Sequence, residues 1–199
     1  MISKPKFKIC RRLGPGVYDK CQTTKFSTST KGSFGGKRPK ALSEYGVQFI
    51  EKQKVRFSYG VTERQLSNYV KKATQIKGTH TAEKFYEELE SRLDNVIYRI
   101  GLAPSRRAGR QMVSHGHFIV NDHKVTIPSY GLKTGDIIKI REGSKSKKIF
   151  QGLVNRLKDY TVPAWISFDL DKTEGKILAK PKNIESFLNL NAVLEFYSR

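Results

Sequence analysis

The stretch from Ser91 to Glu142 constrains the fold most, because two helix signals are followed at short range by strand signals. Its first part has the i, i+3, i+4, i+7 spacing of one buried helical face, occupied by Leu93, Val96, Ile97 and Ile100. Gly101 follows, and glycine commonly ends a helix in the left-handed conformation. Ser105 is a suitable N-cap for the next helix. The pattern predicts two short consecutive helices.

The second of these helices is predicted to have one basic and polar face and one small, apolar face. On a helical wheel the first face contains Arg106, Arg107, Arg110, Gln111 and Ser114. The opposite face contains Ala108, Gly109, Met112 and Val113. A basic face can be solvated surface only, but clustered arginines beside a packing face favour contact with the phosphates of RNA.

Strands are predicted directly after this helix. His117–Val120 and Val125–Ile127 form a hairpin around a turn at Asn121–Lys124, and Ile137–Ile140 adds a third strand after Gly135 and Asp136. The unit is therefore helix, helix, hairpin and strand, and the fold class is α+β.

The net charge indicates a polyanionic partner. Lys and Arg number 38 against 18 Asp and Glu, which gives +20 over 199 residues. Residues 1–56 carry a net +11 and the rest a net +9, as expected of a basic arm on a milder body. An anionic membrane is the weaker alternative, because no apolar run approaches the roughly 20 residues of a spanning helix. The first residues contain no apolar signal-peptide core, so an intracellular protein is expected.

Residues 1–42 are predicted to be a flexible basic extension that RNA orders, because they are rich in Gly, Ser, Thr and Lys. Gly32–Lys37 is not a phosphate-binding loop, since the glycine spacing is wrong and Arg38 stands where Ser or Thr is needed. Cys10 and Cys21 are too few and too far apart for a zinc site, and two free thiols are expected. His115, His117 and His123 also lack a convincing further ligand.

Three helices are predicted between Ser43 and Ser91. The first begins at Ser43 and ends at Tyr59-Gly60, with Val47, Ile50 and Phe57 inside and Lys52, Lys54 and Arg56 on its other side. The second begins with the capping box Thr62-x-x-Gln65. The third places an acidic face outward, formed by Glu83, Glu87, Glu88 and Glu90. That face is either a solvated surface or a docking site for a basic partner.

After Glu142, a basic link at residues 143–148 is equally compatible with a solvated loop and with RNA contact. Ile149–Leu157 has helical spacing. Trp165–Asp169 and Lys176–Ala179 are predicted to pair as a hairpin, with Trp165 in the core rather than stacked on a base. Asn191–Tyr197 is a helix or strand that is apolar enough to dock.

Two sets of motifs resemble a known family. SRLDNVIYR, SRRAGRQMVSHGH and IPSYGLKTGD resemble the RNA-binding module first named for small-subunit ribosomal protein four. LSEYGVQFIEKQKVRFSYGVTERQLSNY, together with RRLG and NAVLEFYSR, is similar to the helical part of the bacterial-type members of that family, so the resemblance covers nearly the whole chain. It implies an inserted α/β domain with a small, mainly antiparallel sheet at 92–187, with the module at about 91–155. A discontinuous helical domain would occupy 43–91 and 188–199.

The resemblance implies a structural constituent of the small ribosomal subunit. Such a protein binds 16S-type rRNA early in assembly and lies beside the channel through which mRNA enters. It contributes to translational accuracy, contacts small-subunit ribosomal protein five and meets mRNA transiently. Lys37, Arg38 and Lys40 match the family's basic residues on the mRNA side. Phe7 stands where zinc-binding members have a paired cysteine, so the chain is placed with the zinc-free members. The location is the ribosome of the cytoplasm or of an organelle, without a membrane or a homo-oligomer.

The rRNA is expected to be contacted by side chains of the arm, the first helices and the arginine helix: Arg11, Arg12, Lys52, Lys54, Arg56, Arg64, Arg106, Arg107, Arg110, Gln111, Ser114, His115 and His117. Recognition is mainly of RNA shape, because deep A-form grooves hide the base edges. No nucleophile, base and orienting group occur together, so no enzyme is expected. A translational repressor, a stand-alone RNA-modifying enzyme and a membrane-surface protein are the alternatives.

Overall fold

The structure is a computed structural model that describes residues 5–23, 26, 41–76, 80–153, 157, 160–170, 172–182 and 187–199. Its helices are α1 (Lys6–Leu13), α2 (Glu44–Tyr59), α3 (Glu63–Gln75), α4 (Thr81–Glu90), α5 (Leu93–Ile100), α6 (Arg106–Ser114), α7 (Glu142–Lys145) and α8 (Leu190–Ser198). Its strands are β1 (Phe118–Val120), β2 (His123–Lys124), β3 (Ile137–Ile140), β4 (Ile166–Asp169) and β5 (Glu174–Ile177). The predicted α+β class is confirmed.

The chain divides into two compact units. The first consists of Met1–Phe85 with Ile184–Arg199, and the second of Tyr86–Asn183. No helix that the structure describes is long and apolar enough to cross a bilayer.

The first unit begins with a packed N-terminal segment, which corrects part of the prediction that residues 1–42 are flexible. Helix α1 is followed by short 3₁₀ turns at Pro15–Val17 and Asp19–Gln22. Together they bury a small apolar cluster that contains Ile9, Cys10, Leu13, Val17, Cys21 and Phe26. The apolar residues are sparse but fall on one side of the segment, so it buries enough surface to hold a fixed structure.

Cys10 and Cys21 form a disulfide in this segment, so the expectation of two free thiols is wrong. Their Cα atoms lie 6.5 Å apart, within the range that a disulfide bridges. Their separation of 11 residues in the chain does not reveal that the 3₁₀ turns bring Cys21 back beside α1.

Helix α2 begins at the Ser43 cap and ends at Gly60, whose φ of 61° is left-handed, as the sequence predicts. Its buried face is not the predicted one, because Val47 is exposed and Lys52 is only 6% exposed. Helix α8 packs on this side of α2. The Lys52 ammonium lies 4.4 Å from the Phe196 ring centroid and pairs with Glu63 at 2.9 Å. These partners compensate the charge and let a lysine stem fill a core position.

Helix α3 has the predicted capping box, with hydrogen bonds in both directions between Thr62 and Gln65.

The last residues form a helix, α8, which is one of the two forms that the sequence pattern allowed. Its Asn189 cap accepts from the Ala192 backbone, and Glu195 accepts a hydrogen bond from Gln48 at 3.0 Å. These contacts lie within the first unit.

The second unit contains a five-stranded antiparallel sheet in the order β2-β1-β3-β5-β4. Asn121 and Asp122 both have positive φ, which gives the tight hairpin turn expected between β1 and β2. The returning strand is His123–Lys124 rather than Val125–Ile127, because this two-residue turn pairs Val120 with His123. The strand partner of β4 is likewise Glu174–Ile177 rather than Lys176–Ala179, because its turn is shorter than predicted.

Helices α5 and α6 cover this sheet. The shared core includes Ile97 and Ile100 of α5, Val113 of α6 and Phe118 of β1, and Trp165 packs against it while half-buried. Gly175 in the middle of β5 leaves room for α5, because a Cβ there would come 2.8 Å from Ile100 Cδ1. The predicted helix at Ile149–Leu157 begins with a 3₁₀ turn at Lys148–Phe150, and residues 154–156 lie outside the described part.

Candidate nucleic-acid interface

Helix α6 presents one polar row to solvent. Its Ser105 cap accepts a hydrogen bond from the Ala108 backbone at 3.2 Å, so the helix begins where the sequence predicts. Gly109 lets α6 approach α5 closely, since a Cβ there would lie 2.6 Å from the Asp94 carbonyl oxygen. This packing buries the small face and leaves exposed Arg107, Gln111 and Ser114, at i, i+4 and i+7.

Arg106 and Arg110 differ from Arg107, because their guanidinium groups turn toward the protein. Arg106 Nε donates to Asn95 Oδ1 at 2.7 Å, and its guanidinium lies 4.7 Å from the Tyr98 ring centroid. Arg110 Nε donates to Asp94 Oδ2 at 2.9 Å. The sequence placed all three arginines on one outward arc. The structure brings only Arg107 fully to the surface.

Two buried carboxylates hold these arginines and two more. Asp94, 2% exposed, accepts hydrogen bonds from Arg92 and Arg110. Glu90, 0% exposed, accepts two hydrogen bonds of 2.7 Å from Arg99 and lies 3.8 Å from Arg106 Nη2. We call this group, formed by Arg92, Arg99, Arg106, Arg110, Glu90 and Asp94, the arginine network. Its presence corrects the prediction that Glu90 belongs to an outward acidic face.

The arginine network has more positive than negative charge. Four guanidinium groups share two carboxylates, so the network carries a formal +2 even though its members are paired. Buried carboxylates of this kind fix guanidinium planes in place, and breaking such a pair is costly. Arg106 and Arg110 remain 14% and 17% exposed at their side chains. The network can therefore attract a polyanion while its side chains stay ordered.

The end of α6 continues into two histidines with different environments. His115 is exposed, whereas His117 is 2% exposed and its Nδ1 lies 3.0 Å from Ser144 Oγ. Burial, assisted by the positive charges of Lys147, His115 and Arg141, lowers the pKa of His117 below its ordinary value. His117 is thus neutral at neutral pH and lies inside the fold, whereas the sequence analysis expected it on the RNA-binding surface.

Lys124 extends the exposed row of α6. Its side chain lies against Gly116, where a Cβ would come 2.5 Å from Lys124 Cε, and Gly116 has the left-handed φ of 69°. The lysine therefore lies beside His115 and the helix end. Lys124 is predicted to lie in a turn and is not among the predicted binding residues, whereas in the structure it belongs to β2. The correct hairpin register was the missing information, because it pairs Lys124 with Ile119 of β1.

The predicted binding residues of α2 are engaged within the first unit. Lys52 and Arg56 lie 2.9 and 3.8 Å from oxygens of Glu63, and Lys54 lies 2.6 Å from Glu51. Tyr197 also donates to Glu63, at 2.6 Å. Partial burial works to raise the pKa of Glu63, but the hydrogen bonds from Tyr197 and Lys52 outweigh it and the pKa is lowered. The Glu63 carboxylate is therefore ionised and pairs with Lys52 and Arg56.

The remaining predicted cations fall into two groups. Arg11 and Arg12 at the end of α1, and Arg64 in the first turn of α3, are exposed. Lys37, Arg38 and Lys40, assigned to the mRNA side, lie outside the described residues. Within the second unit, Arg107, Gln111, Ser114, His115 and Lys124 thus form a continuous exposed set, which we call the α6 surface.

Comparison with known proteins supports a family assignment. The family described as "Ribosomal protein S4/S9 N-terminal domain" matches residues 2–90, and the "S4 domain" matches residues 91–138. "Small ribosomal subunit protein uS4" of Syntrophomonas wolfei is 41% identical, with 96% of this chain and 95% of that protein covered. "Small ribosomal subunit protein uS4c" of Chlorokybus atmophyticus is 44% identical, with 98% of this chain and 96% of that protein covered.

The chain belongs to the uS4 family. Its relatives include both uS4 of bacteria, such as Halothermothrix orenii at 41% identity, and uS4c of Oltmannsiellopsis viridis at 43%. The resemblance drawn from the sequence motifs is thereby confirmed. The uS4 family is structural rather than catalytic, which confirms the prediction that this chain is not an enzyme.

The cysteine pair gives this uS4 family member a covalent link within its N-terminal segment. Cys10 and Cys21 bond to each other, and each is 1% exposed. No cluster of three or more His, Cys, Asp or Glu side chains suited to a metal ion is found in the described ranges. The buried disulfide links α1 to the 3₁₀ turn at Asp19–Gln22 within the N-terminal segment.

Proposed function

We propose that this chain is a structural constituent of the small ribosomal subunit and acts there by binding folded small-subunit rRNA. The observation that carries the proposal is the α6 surface, a row of exposed polar and basic side chains on a helix whose Arg106 and Arg110 are held in the arginine network. Arg107 is its fully exposed guanidinium, and Arg106 and Arg110 add positive charge beneath it. A planar guanidinium matches the geometry of a phosphate, so an exposed arginine beside further positive charge suits phosphate recognition.

The binding is electrostatic and depends on RNA shape. The chain has a net charge of +20. When its cations neutralise RNA phosphates, the RNA releases the counterions bound to it, so the affinity of the chain for RNA falls as the salt concentration rises. If 6–10 phosphates are contacted, affinity falls by roughly 10³–10⁵ between 50 and 200 mM salt, on the duplex-DNA scale. Arg11, Arg12 and Arg64 supply further exposed cations in the first unit.

A salt titration of rRNA binding tests this proposal. Arg107→Ala is expected to weaken binding and to reduce the slope of log affinity against log salt by about one contact, roughly 0.7–0.9. Lys176→Ala removes one exposed positive charge from β5 and is the matched control, with an unchanged slope expected. Equal slopes for the two variants would exclude α6 from the interface.

The finer roles are inferences from the family. We propose that the chain binds rRNA early and nucleates assembly, and that it contributes to accuracy beside the channel through which mRNA enters. Lys37, Arg38 and Lys40 would face that channel. Small-subunit ribosomal protein five and, transiently, mRNA are the proposed partners, and binding to its own messenger could make it a repressor. Reconstitution of the subunit with the chain added late tests the assembly role, since a nucleating protein must be present from the start.

The domain assignment is also a proposal. Residues 43–91 with 188–199 would form the helical domain, and 92–187 the inserted domain with its RNA-binding module at about 91–155. The division of the chain into two compact units supports it. Sedimentation of a lysate through a sucrose gradient tests the whole proposal. The chain should travel stoichiometrically with the small subunit and stay there after a moderate salt wash.

A further inference from the structure

Trp165 lies at a cavity that the proposed binding surface does not use. The cavity has a volume of about 380 Å³ and is walled by Leu132, Trp165 and Ile177. Lys133 and Lys180 also line it, together with the carboxylate-bearing Glu87. This volume is in the range of sites that hold a small organic group.

The walls of the cavity are fixed by backbone hydrogen bonds. The Trp165 carbonyl accepts from the backbone N–H groups of Leu178 and Ala179 at 2.9 and 3.3 Å. The Leu132 backbone donates to the Ser91 carbonyl at 2.8 Å, and Ile177 exchanges hydrogen bonds with the Gly135–Asp136 turn. The backbone that carries Trp165 is thus fixed to the sheet, and its half-buried side chain packs against the core.

The lining combines an aromatic surface with positive charge. Trp165 is half-buried, so part of it packs on the core and part lines the cavity. Lys133 is exposed, and the Lys180 side chain is 63% exposed. Lys180 also pairs with Glu87 at 3.2 Å, and the Glu87 carboxylate can accept a hydrogen bond from an amino group.

We propose that this cavity takes an unpaired nucleobase of the bound RNA, stacked on Trp165, while Lys133 and Lys180 contact the adjoining phosphates. The inference rests on the proposed RNA-binding function and adds the feature of RNA that is recognised. An aromatic surface beside lysines suits a nucleotide, because the base stacks and its phosphates are anionic. A purely apolar ligand would not use the positive charge that Lys133 and Lys180 place at this lining.

The single tryptophan of the chain makes the first test specific, because its fluorescence reports only Trp165. The full-length protein is titrated with a six-nucleotide oligoadenylate and with an abasic oligomer that has the same number of phosphates. Oligoadenylate is expected to quench the fluorescence and the abasic oligomer is not. Equal responses to the two oligomers, or no response to either, would overturn the inference. Quenching by an acidic peptide alone would assign the cavity to a protein partner and would also overturn it.

Two substitutions separate stacking from structure. Trp165→Leu keeps an apolar side chain but removes the aromatic face, and is expected to weaken binding of folded rRNA about 5- to 150-fold, the range for one stacked base. Trp165→Phe keeps an aromatic ring and should restore most of the affinity. Both variants are compared with the wild type by circular dichroism and thermal unfolding. If the Leu variant is folded and binds rRNA as tightly as the wild type, the base does not occupy this cavity.

The lysines give an independent measurement. Lys133→Ala and Lys180→Ala should each lower the salt slope of oligoadenylate binding by about 0.7, the single-strand value, while Lys176→Ala should not. Unchanged slopes for both variants contradict the proposed phosphate contacts. If rRNA binds with a normal salt slope but Trp165 does not respond, only this inference fails. If rRNA does not bind at all, the proposed function fails with it.

Discussion

The two units hold their cations in different ways. In the first unit Glu63, whose side chain is 45% exposed, pairs with Lys52 and Arg56 near solvent. In the second unit Glu90 and Asp94 are almost completely buried and hold four arginines. In the first arrangement water reaches the Glu63 carboxylate although the Lys52 side chain is only 7% exposed, whereas in the second arrangement both carboxylates are shielded from water. The same residue types should therefore contribute very differently to stability.

Breaking the arginine network should produce the largest effect. Asp94→Asn removes the charge that compensates Arg92 and Arg110, and is expected to reduce the free energy of unfolding by about 3–5 kcal/mol. Urea denaturation at constant salt measures this. Asp122→Asn is the matched control, because Asp122 is exposed, has a positive φ that asparagine accepts, and should change stability by less than about 0.5 kcal/mol. Similar losses for both variants would contradict the special role of the buried carboxylate.

The close approach of α5 and α6 should produce the next largest effect. Gly109→Ala places a Cβ 2.6 Å from the Asp94 carbonyl oxygen, which is backbone and cannot move aside easily. We expect a loss of about 1–3 kcal/mol, the usual cost of overpacking. Gly143→Ala meets nothing within 4 Å and serves as the control. Thermal unfolding of the two variants compares them, and an unchanged melting temperature for Gly109→Ala would show that the helices can separate at little cost.

The half-exposed Glu63 of the first unit should contribute less to the free energy of unfolding. Glu63→Gln removes the charge that faces Lys52 and Arg56, and is expected to cost about 1 kcal/mol or less because solvent screens the pairs. The pKa of Glu63 is lowered from about 4.5 by its hydrogen bonds, so the folded state binds its proton more weakly than the unfolded state. Its contribution is thus present above the unfolded pKa and lost as pH falls through the folded pKa. Unfolding measured from pH 7 down to pH 3 should show the wild type converging on the variant, and a constant gap would contradict this assignment.

His117 should have the smallest effect at neutral pH and a visible one only in acid. Burial holds its pKa below the ordinary value of 6.5, so its contribution is complete above that value and declines as pH falls toward the folded pKa. Stability should therefore drop more steeply between pH 7 and pH 5 in the wild type than in His117→Gln. His123→Gln, at an exposed position of β2, should keep the wild-type slope. If both variants keep that slope, His117 titrates normally and its burial carries no electrostatic penalty.

Local signals made much of the fold predictable. The Ser43 and Ser105 caps, the Thr62–Gln65 box and the left-handed Gly60 and Gly101 each act within a few residues, and the sequence located them correctly. The strands of the second unit were also found. Their register was less accurate, because one residue more or less in a turn changes which residues pair, as at Val120 and His123.

The directions of the basic side chains could not be predicted in this way. A helical wheel shows that Arg106, Arg107 and Arg110 share a side of α6. It does not show that Glu90 lies beside Arg106 and Asp94 beside Arg110. Glu90 is distant from Arg106 in sequence, and it resembled a member of an acidic surface. Lys52 shows the same limitation, since its place in the core depends on Phe196 near the other end of the chain. Long-range partners decide which charges remain available to a ligand.

The return of α8 to the first unit has a consequence for how the protein is made. Gln48 and Glu63 receive their partners Glu195 and Tyr197 only after almost the whole chain has been synthesised. The second unit, by contrast, is continuous from Tyr86 to Asn183 and has all its strands once that stretch has emerged. At a synthesis rate of about 5–20 residues per second, the second unit can begin to fold before α8, the last helix of the first unit, has been synthesised. The part translated first is thus the part completed last.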